Sequence, residues 1–454
     1  MDKERIRQIT EELREEFDRV GDEIWRNPET NFQEFVSSGI QMDVMRKAGF
    51  RITNPYAGMK TAFTAEYGYG KPVIAILGYV DGLPNLSQVP DIFEEKPLEP
   101  GANGHGCGHH LVGAGSMQAA CAIKKYMEET GTVGTLRYYC TPAEEGGGGK
   151  VIMAKRGAFD DIDAALCWHP DESTVIGLTG LAVANVTFRF TGQGAHAGAI
   201  PWEGRSALDA AELMTTGIQY LREHVLPTTR LHYAYTDVGG EAPNVVQAHA
   251  AVLVAVRAEE SDYMLEVYDR VHDIAKGAAL MTGTRLEEPE IGSVYSSAFL
   301  NRTIDSVVLE NMRELLPLEY TDEEYAYAKG YQPFGRNKNA ASPLNTKVME
   351  DYLAVGGSSD YGDVTWFAPA SMFSMLCFAT GTRLHTWFST AQGTSSIAHK
   401  GRNAAAKIIA CTAMRLFEDS ELLEAAKEEW RKNLNGRTYN TLMDVENCKD
   451  AQNF

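Results

Sequence analysis

The sequence KPVIAILGYV, residues 71–80, is a short apolar run that ends in the turn residues DGLP, 81–84. A run of this length that is apolar on both faces predicts a strand buried within a sheet and leading into a loop. TLRYYC (135–140) and AALCW (164–168) are also short apolar runs that predict buried strands. The stretch 111–131, between the first and second runs, has apolar residues at helical spacing. Strands separated by helices predict an α/β domain with a mixed, largely parallel sheet and flanking helices.

The pattern changes near residue 182, where LAVANVTFRFTG (181–192) alternates apolar and polar residues. Such alternation predicts a strand in a sheet with one solvated face. A chain of 454 residues also exceeds what one core usually organises. We therefore predict a smaller α+β domain at 183–296, inserted into a larger α/β domain formed by 1–182 and 297–454. Its further predicted elements are helices near 204–224 and 261–282 and strands within 242–258 and 285–296.

Composition excludes several classes of partner. The formal net charge is −20 at pH 7, which argues against nucleic acid and anionic membrane surfaces, since both require clustered cations. No apolar run approaches the roughly 18 residues of a membrane span, and the first residues, MDKERIRQITEELREEF, lack the apolar core of a signal peptide. The seven cysteines are scattered and mostly lie in apolar stretches, which predicts reduced thiols in a cytoplasmic protein.

Four polar stretches lie at or beside the ends of the predicted strands, where open α/β sheets place their ligands. They are Asp81, GHGCGHH (104–110), TPAEEGGGGK (141–150) and WHP (168–170). Two adjacent glutamates at the end of an apolar strand are costly unless a cation compensates them. The cysteine and histidines nearby are ligands of the type that zinc prefers. Together the four stretches predict a metal site.

Other interpretations of these stretches are weaker. GGGGK resembles a phosphate-binding loop, but that pattern requires Gly at 144 and Ser or Thr at 151, where this chain has Glu144 and Val151. A structural zinc knuckle would need a second cysteine-containing half, and a thioredoxin-like site would need a second cysteine. His169 followed by Pro170, taken alone, is more often simply a turn.

Several motifs in the same order resemble one family. HGCGHH (105–110), PAEEGGGGK (142–150), WHP (168–170) and GAHAGAIPWEGRSALDAAELM (194–214) are similar to the cysteine-containing branch of the dinuclear-metal aminoacylase/exopeptidase superfamily. That branch includes the auxin-conjugate amidohydrolases. The resemblance covers nearly the whole chain, from residue 22 to residue 401.

The resemblance implies residue roles. Two divalent ions, Zn²⁺ or Mn²⁺, would be bound, and Glu144 would be the general base. His385 is the predicted last ligand and His399 its rival, although His399 lies near the start of a probable helix, where a structural role is more common. His196 would polarise the scissile carbonyl, often in a partner subunit's site, and Asn244 and Arg257 would contact the substrate. The implied metal ligands are Cys107, His109, Glu145, His169 and His385.

The implied activity is metal-dependent hydrolysis of the amide bond of an N-acyl or N-aroyl amino acid, such as p-aminobenzoyl-glutamate. The resemblance also implies that the larger domain, 1–182 and 297–454, is the catalytic metal-binding domain and that the insert at 183–296 is a lid and dimerisation domain. The implied assembly is a homodimer, with a related subunit as a further partner. Three alternatives stay open: a dipeptidase or carboxypeptidase-like exopeptidase of the same superfamily, a non-catalytic subunit that supports a related catalytic chain, and a structural-zinc binding module.

Two positions depart from the family pattern. Tyr79 stands where an acidic residue is expected, and His110 stands where Asn or Asp is common. Both lie close to the predicted ligands, so they leave metal identity and substrate preference open.

Overall fold

The computed structural model describes residues 1–350 and 357–445. The strands are β1 (Arg51–Thr53), β2 (Phe63–Tyr69), β3 (Val73–Tyr79), β4 (Gly134–Thr141), β5 (Ala164–Asp171), β6 (Ser173–Val175), β7 (Ala182–Thr191), β8 (Arg230–Asp237), β9 (His249–Ala258), β10 (Arg285–Leu286), β11 (Glu290–Tyr295), β12 (Asn345–Met349) and β13 (Ala370–Leu376). The helices are α1 (Lys3–Glu12), α2 (Arg14–Trp25), α3 (Phe35–Lys47), α4 (His109–Thr130), α5 (Gly149–Lys155), α6 (Ala207–Leu221), α7 (Ser261–Thr282), α8 (Arg302–Leu315), α9 (Asp322–Tyr331), α10 (Tyr361–Val364), α11 (Trp387–Gln392), α12 (Ser396–Glu418) and α13 (Ser420–Leu434).

The larger sheet has eight strands in the order β1-β2-β4-β3-β5-β13-β6-β12. Its centre is parallel, since β3 pairs with β4 and β5 and β5 pairs with β13 in that sense. The pairs β1–β2, β2–β4 and β6–β13 are antiparallel. Helix α4 packs on β3, β4 and β5, and α12 packs against α4. Strand β3 is buried along its whole length, which explains its unbroken apolar sequence. The predicted α/β class with a mixed sheet is confirmed.

The smaller sheet is antiparallel and contains β10, β7, β9 and β8 in that order, with β11 also paired to β7. All its strands lie between Ala182 and Tyr295. Helices α6 and α7 pack together and against this sheet. Alternate residues of β7, including Phe188 and Phe190, contribute to a core separate from that of the larger sheet. The alternation of apolar and polar residues therefore reflects a sheet covered by helices on one face.

Two strand predictions in the smaller domain were partly wrong. The strand predicted within 242–258 begins only at His249. Pro243 lies in a turn closed by a hydrogen bond from Val245 N to Ala242 O, and Val246 N then donates to Ala195 O and not to a strand of the sheet. The strand predicted within 285–296 is divided into β10 and β11, and Pro289 lies in the gap.

No helix among the described residues combines the length and the apolar character needed to cross a membrane.

The parallel arrangement places the ends of four strands at one edge of the larger sheet. Asp81 follows β3, the two glutamates follow β4, and His169 lies near the end of β5. The loop after β13 carries His385. This edge is where open α/β sheets bind ligands.

Candidate metal centre

Cys107 and His109 lie where the loop after β3 leads into α4. Gly108, immediately before the helix, has a left-handed backbone conformation with φ 78°. A Cβ at Gly108 would lie 2.6 Å from Cγ of Pro170, so any side chain there would collide with the end of β5. Glycine therefore allows the loop to pack closely, and Cys107 Sγ lies 3.5 Å from His169 Nε2.

The two glutamates lie in a tight turn after β4. Ala143 begins this turn in a left-handed conformation, φ 53°. Glu144 Oε2 then lies 3.7 Å from His109 Nε2, and Glu145 Oε1 lies 3.9 Å from the same nitrogen. On the other side, His385 Nε2 lies 3.2 Å from Glu145 Oε1. The turn thus directs both carboxylates at histidines from distant parts of the chain.

The donor atoms fit a divalent metal. They form three overlapping sets, within each of which all atoms lie within 4.8 Å of one another. His109 Nδ1 lies 2.9 Å from Asp81 Oδ1, while His109 Nε2 is buried with no hydrogen-bond partner among the described residues. A histidine that is oriented by a carboxylate through one nitrogen typically offers the other to a metal. The sets are Cys107, His109 and His169; Cys107, Glu145 and His385; and His109, Glu144 and Glu145.

The electrostatics of the cluster also favour a bound cation. Burial lowers the pKa of His109, but Asp81 and the two glutamates raise it to about 9, so the carboxylates favour positive charge here. Burial raises the pKa of Glu144 to about 8. Burial also raises the pKa of Glu145, but contact with His385 and the charge of His109 lower it to about 2. The pKa values of these two adjacent carboxyl groups are therefore shifted in opposite directions by their surroundings.

The sequence did not assign a role to Asp81, although its position directly after a buried strand marked it as one of the polar stretches. Its Oδ1 orients His109, and its Oδ2 accepts a 2.8 Å hydrogen bond from the N–H of Glu145. One carboxylate therefore holds both a predicted ligand and the backbone of another.

A buried ion pair behind the cluster was also missed. Lys150 Nζ lies 2.6 Å from Asp360 Oδ1, and both side chains are fully buried. The same ammonium lies 3.7 Å from the ring centroid of Tyr79, and that ring packs edge-on against the imidazole of His109, with centroids 5.0 Å apart. Tyr79 therefore supports a predicted ligand from behind, and no local sequence pattern links these residues.

None of the three predicted residues of the smaller domain lines the cavity at the cluster in its own chain. His196 is exposed, and its Nδ1 accepts hydrogen bonds from the N–H groups of Gly198 and Ala199 at 3.1 Å. Asn244 lies beside it, since its carbonyl accepts from Ala197 N. Neither residue lines the cavity at the cluster in its own chain. Arg257 comes closer, because its Nη1 donates to Oγ of Ser358, which lines the cavity, at 2.7 Å.

Two other histidines belong to none of the three donor sets. His399, the alternative last ligand, lies on α12 with its Nε2 2.9 Å from Asp22 Oδ1. His110, the second departure from the family pattern, has its Nε2 2.9 Å from the carbonyl oxygen of Gly393. The contact with Asp22 accounts for His399 without a metal. The other ring nitrogen of His110, Nδ1, is buried with no hydrogen-bond partner among the described residues, but His110 belongs to none of the three donor sets.

A cavity of about 240 Å³ opens beside the cluster. Cys107, Glu144, Glu145, His169 and His385 line one side. The remainder is lined largely by apolar and small residues, among them Leu178, Gly180, Ala298, Met372 and Leu384. The cavity is thus lined both by candidate metal ligands and by apolar side chains.

Comparison with known proteins agrees with this geometry. Residues 80–298 match the model of peptidase family M20/M25/M40. The chain is 42% identical over 443 residues to one of the subunits of p-aminobenzoyl-glutamate hydrolase from Escherichia coli K12, covering 92% of each chain. The chain belongs to peptidase family M20/M25/M40. The resemblance seen in its motifs is thereby confirmed.

This M20 family member is also 28% identical over 434 residues to the mouse Xaa-Arg dipeptidase, covering 94% of this chain and 92% of that protein. Its fold is similar to that of a Bacillus subtilis protein described as a dinuclear metal binding peptidase from the M20 family. The TM-score is 0.62 at 16% identity, covering 90% of this chain and 99% of that chain.

Proposed function

We propose that this M20 family enzyme is a metal-dependent amidohydrolase that releases an amino acid from N-acyl or N-aroyl amino acids. The observation that carries the proposal is the convergence of a thiol, three histidines and two glutamates at one end of a partly apolar cavity. The relative with 42% identity is named for hydrolysis of p-aminobenzoyl-glutamate, which makes that compound the first candidate substrate.

Two divalent ions, Zn²⁺ or Mn²⁺, would be held by the predicted ligands, as in the dinuclear M20 peptidase of similar fold. When bound, they would supply Lewis acidity to the amide carbonyl and lower the pKa of water. Burial lowers the pKa of His169 to about 4, so its imidazole is neutral and able to donate a lone pair. The ligand residues would be Cys107, His109, Glu145, His169 and His385.

Glu144 would act as the general base. Its carboxylate lies within 3.7 Å of His109 Nε2 and lines the cavity, so it can reach a water beside the ligands. It would remove a proton from the attacking water and return that proton to the leaving amine. The same carboxyl group can perform both transfers because it lines the cavity beside the predicted ligands.

Both ends of the substrate have a counterpart in the structure. The apolar wall formed by Leu178, Ala298, Met372 and Leu384 suits an acyl or aroyl group. Arg257 is half-buried, and its side chain has no carboxylate partner among the described residues. Burying a guanidinium without an anion is costly, so a substrate carboxylate would be its natural partner.

The exposed position of His196 supports a homodimer. Since Nδ1 accepts two backbone N–H groups, Nε2 carries the proton and can donate to a carbonyl oxygen. We infer that His196 and Asn244 of one chain act at the cavity of the other. Strand β8 lies at the edge of the smaller sheet and is available for pairing with a second copy.

A related chain is proposed as a further partner. The relative with 42% identity is named as one subunit of its hydrolase. This chain is also 30% identical over 247 residues to the other named subunit of that hydrolase, a match that covers 52% of this chain and 56% of that protein. Two related subunits of one hydrolase therefore support assembly of this chain with a similar one.

The 28% identity to the mouse Xaa-Arg dipeptidase supports one alternative function, the hydrolysis of short peptides. A non-catalytic subunit is disfavoured, because the predicted base and ligands are all present and converge.

The described cysteines are free thiols, which supports the proposed cytoplasmic location.

The test is a substrate screen with protein reconstituted with Zn²⁺ or with Mn²⁺. The panel contains p-aminobenzoyl-glutamate, other N-aroyl and N-acyl amino acids, and Xaa-Arg dipeptides. We expect the highest kcat/KM on an N-aroyl or N-acyl amino acid. A higher value on dipeptides would replace the proposal with a dipeptidase, and absence of hydrolysis in fully loaded protein would favour a non-catalytic subunit.

A further inference from the structure

The backbone that carries the two glutamates is held at three consecutive residues, 143–145, by side chains from three separate parts of the chain. The N–H of the first residue donates to Glu34 Oε1 at 3.0 Å. The carbonyl oxygen of the second accepts from the hydroxyl of Tyr295 at 2.7 Å. The N–H of the third donates to Asp81 Oδ2 at 2.8 Å. Each contact restrains the same short turn from a different direction.

This turn needs restraint. Ala143 is left-handed at φ 53°, a backbone conformation that is strained for a residue other than glycine. The glycines that follow, GGGG (146–149), add backbone freedom and contribute no side-chain packing of their own. Gly147 N and Gly148 N donate to Ala143 O within the turn, and the three contacts from outside add restraint at the glutamates themselves.

Tyr295 differs from the other two contacts in where it lies. It is the last residue of β11, where the chain leaves the smaller sheet, and only 6% of it is exposed. Its ring packs with Val151 of α5 and Val183 of β7, one from each side of the junction between the sheets. The next residue, Ser296, donates through N and Oγ to the buried carboxylate of Asp363. The hydroxyl of Tyr295 is therefore positioned by the junction itself.

We propose that Tyr295 is a positioning residue for Glu144, tying the junction of the two domains to the backbone of the catalytic base. The proposal rests on the proposed role of Glu144. The Tyr295 hydroxyl touches the carbonyl of the base residue and lies on the strand that leaves the smaller domain. Removal of the hydroxyl alone should therefore make the backbone of Glu144 more mobile without removing a metal ligand.

The variant is Tyr295→Phe, which deletes one hydroxyl and keeps the ring. The matched control is Tyr331→Phe, since Tyr331 is also buried and donates to a backbone carbonyl, that of Ile92, remote from the glutamates. We expect kcat of Tyr295→Phe to fall about tenfold, because small misplacement of a catalytic group is costly, with KM and metal content unchanged. The control should keep kcat within about twofold of the wild type.

Amide hydrogen exchange of residues 143–149 in metal-free protein gives a second readout that does not require activity. We expect faster exchange there in Tyr295→Phe than in the wild type or in Tyr331→Phe. Unchanged exchange together with an unchanged kcat would overturn the proposal, as would an equal loss of kcat in both variants. If wild-type protein hydrolyses no substrate, the proposed function fails, and the exchange comparison still decides whether Tyr295 holds the turn.

Discussion

Nε2 of His385 lies 3.2 Å from Oε1 of Glu145, although the two residues come from loops at the ends of different strands. The contact depends on an unusual backbone: His385 is left-handed at φ 63°, and its N–H donates to the carbonyl oxygen of Gly106 at 2.9 Å. That hydrogen bond joins the loop after β13 to the loop that carries Cys107. The C-terminal part of the chain thus completes a cluster begun near residue 107.

The first prediction separates the two candidate histidines. His385→Ala removes a donor from the cluster and should lower metal bound per chain after dialysis. His399→Ala should leave it unchanged, because His399 contacts Asp22 on α2. Metal analysis by atomic emission measures both. Loss of metal in His399→Ala with retention in His385→Ala would reverse the assignment.

The second prediction concerns Asp81. Asp81→Asn leaves the size unchanged but weakens the acceptor that orients His109 and the N–H of Glu145. Loss of such a supporting carboxylate should reduce metal affinity about 10–100-fold. Competition with a chelator of known affinity gives the value. The matched control is Asp22→Asn, which alters an Asp–His pair remote from the cluster. An equal change in both variants would contradict the role given to Asp81.

The third prediction concerns assembly. If His196 acts across a dimer interface, mixing inactive Glu144→Gln chains with inactive His196→Ala chains creates dimers with one complete site. Random exchange in a twofold dimer should restore about a quarter of the wild-type activity. Subunit exchange is verified independently with differently labelled chains. Proven exchange without recovery would place His196 in the site of its own chain.

The fourth prediction concerns the substrate carboxylate. Arg257→Ala and amidation of the substrate should each lower kcat/KM strongly, because each removes a charge-assisted hydrogen bond. The two losses should not add, since they remove the same interaction from opposite sides. Equal rates on free and amidated substrates would indicate a general amidase pocket. Full additivity would assign the carboxylate to another residue.

Much of the fold followed from local patterns. The central strands are apolar on both faces because helices cover the sheet, and α7 begins and ends where its spacing predicts, at Ser261 and Thr282. The strand predicted within 242–258 was too long because Pro243 places a turn where the apolar pattern continues. The apolar pattern also continues through Val246, whose N–H bonds to the loop residue Ala195, so the pattern alone does not show where the strand begins.

The site was less predictable than the fold. Cysteine, histidines and paired glutamates at strand ends are unusual enough to be noticed in the sequence, and resemblance supplied their roles. The supporting roles of Tyr295, Asp360 and Asp81 depend on contacts between distant segments, although the position of Asp81 directly after a buried strand marks it in the sequence. Such supporting residues are specified by tertiary packing, so only the structure shows them.

The most direct test of the account is the turnover of Glu144→Gln in protein carrying its full complement of metal. The amide keeps the shape of the side chain but cannot accept the proton of the attacking water. We therefore predict that kcat on the best substrate falls at least about a hundredfold while the metal content stays equal to that of the wild type. Turnover close to the wild-type value in metal-loaded Glu144→Gln would contradict the assignment of Glu144 as the base.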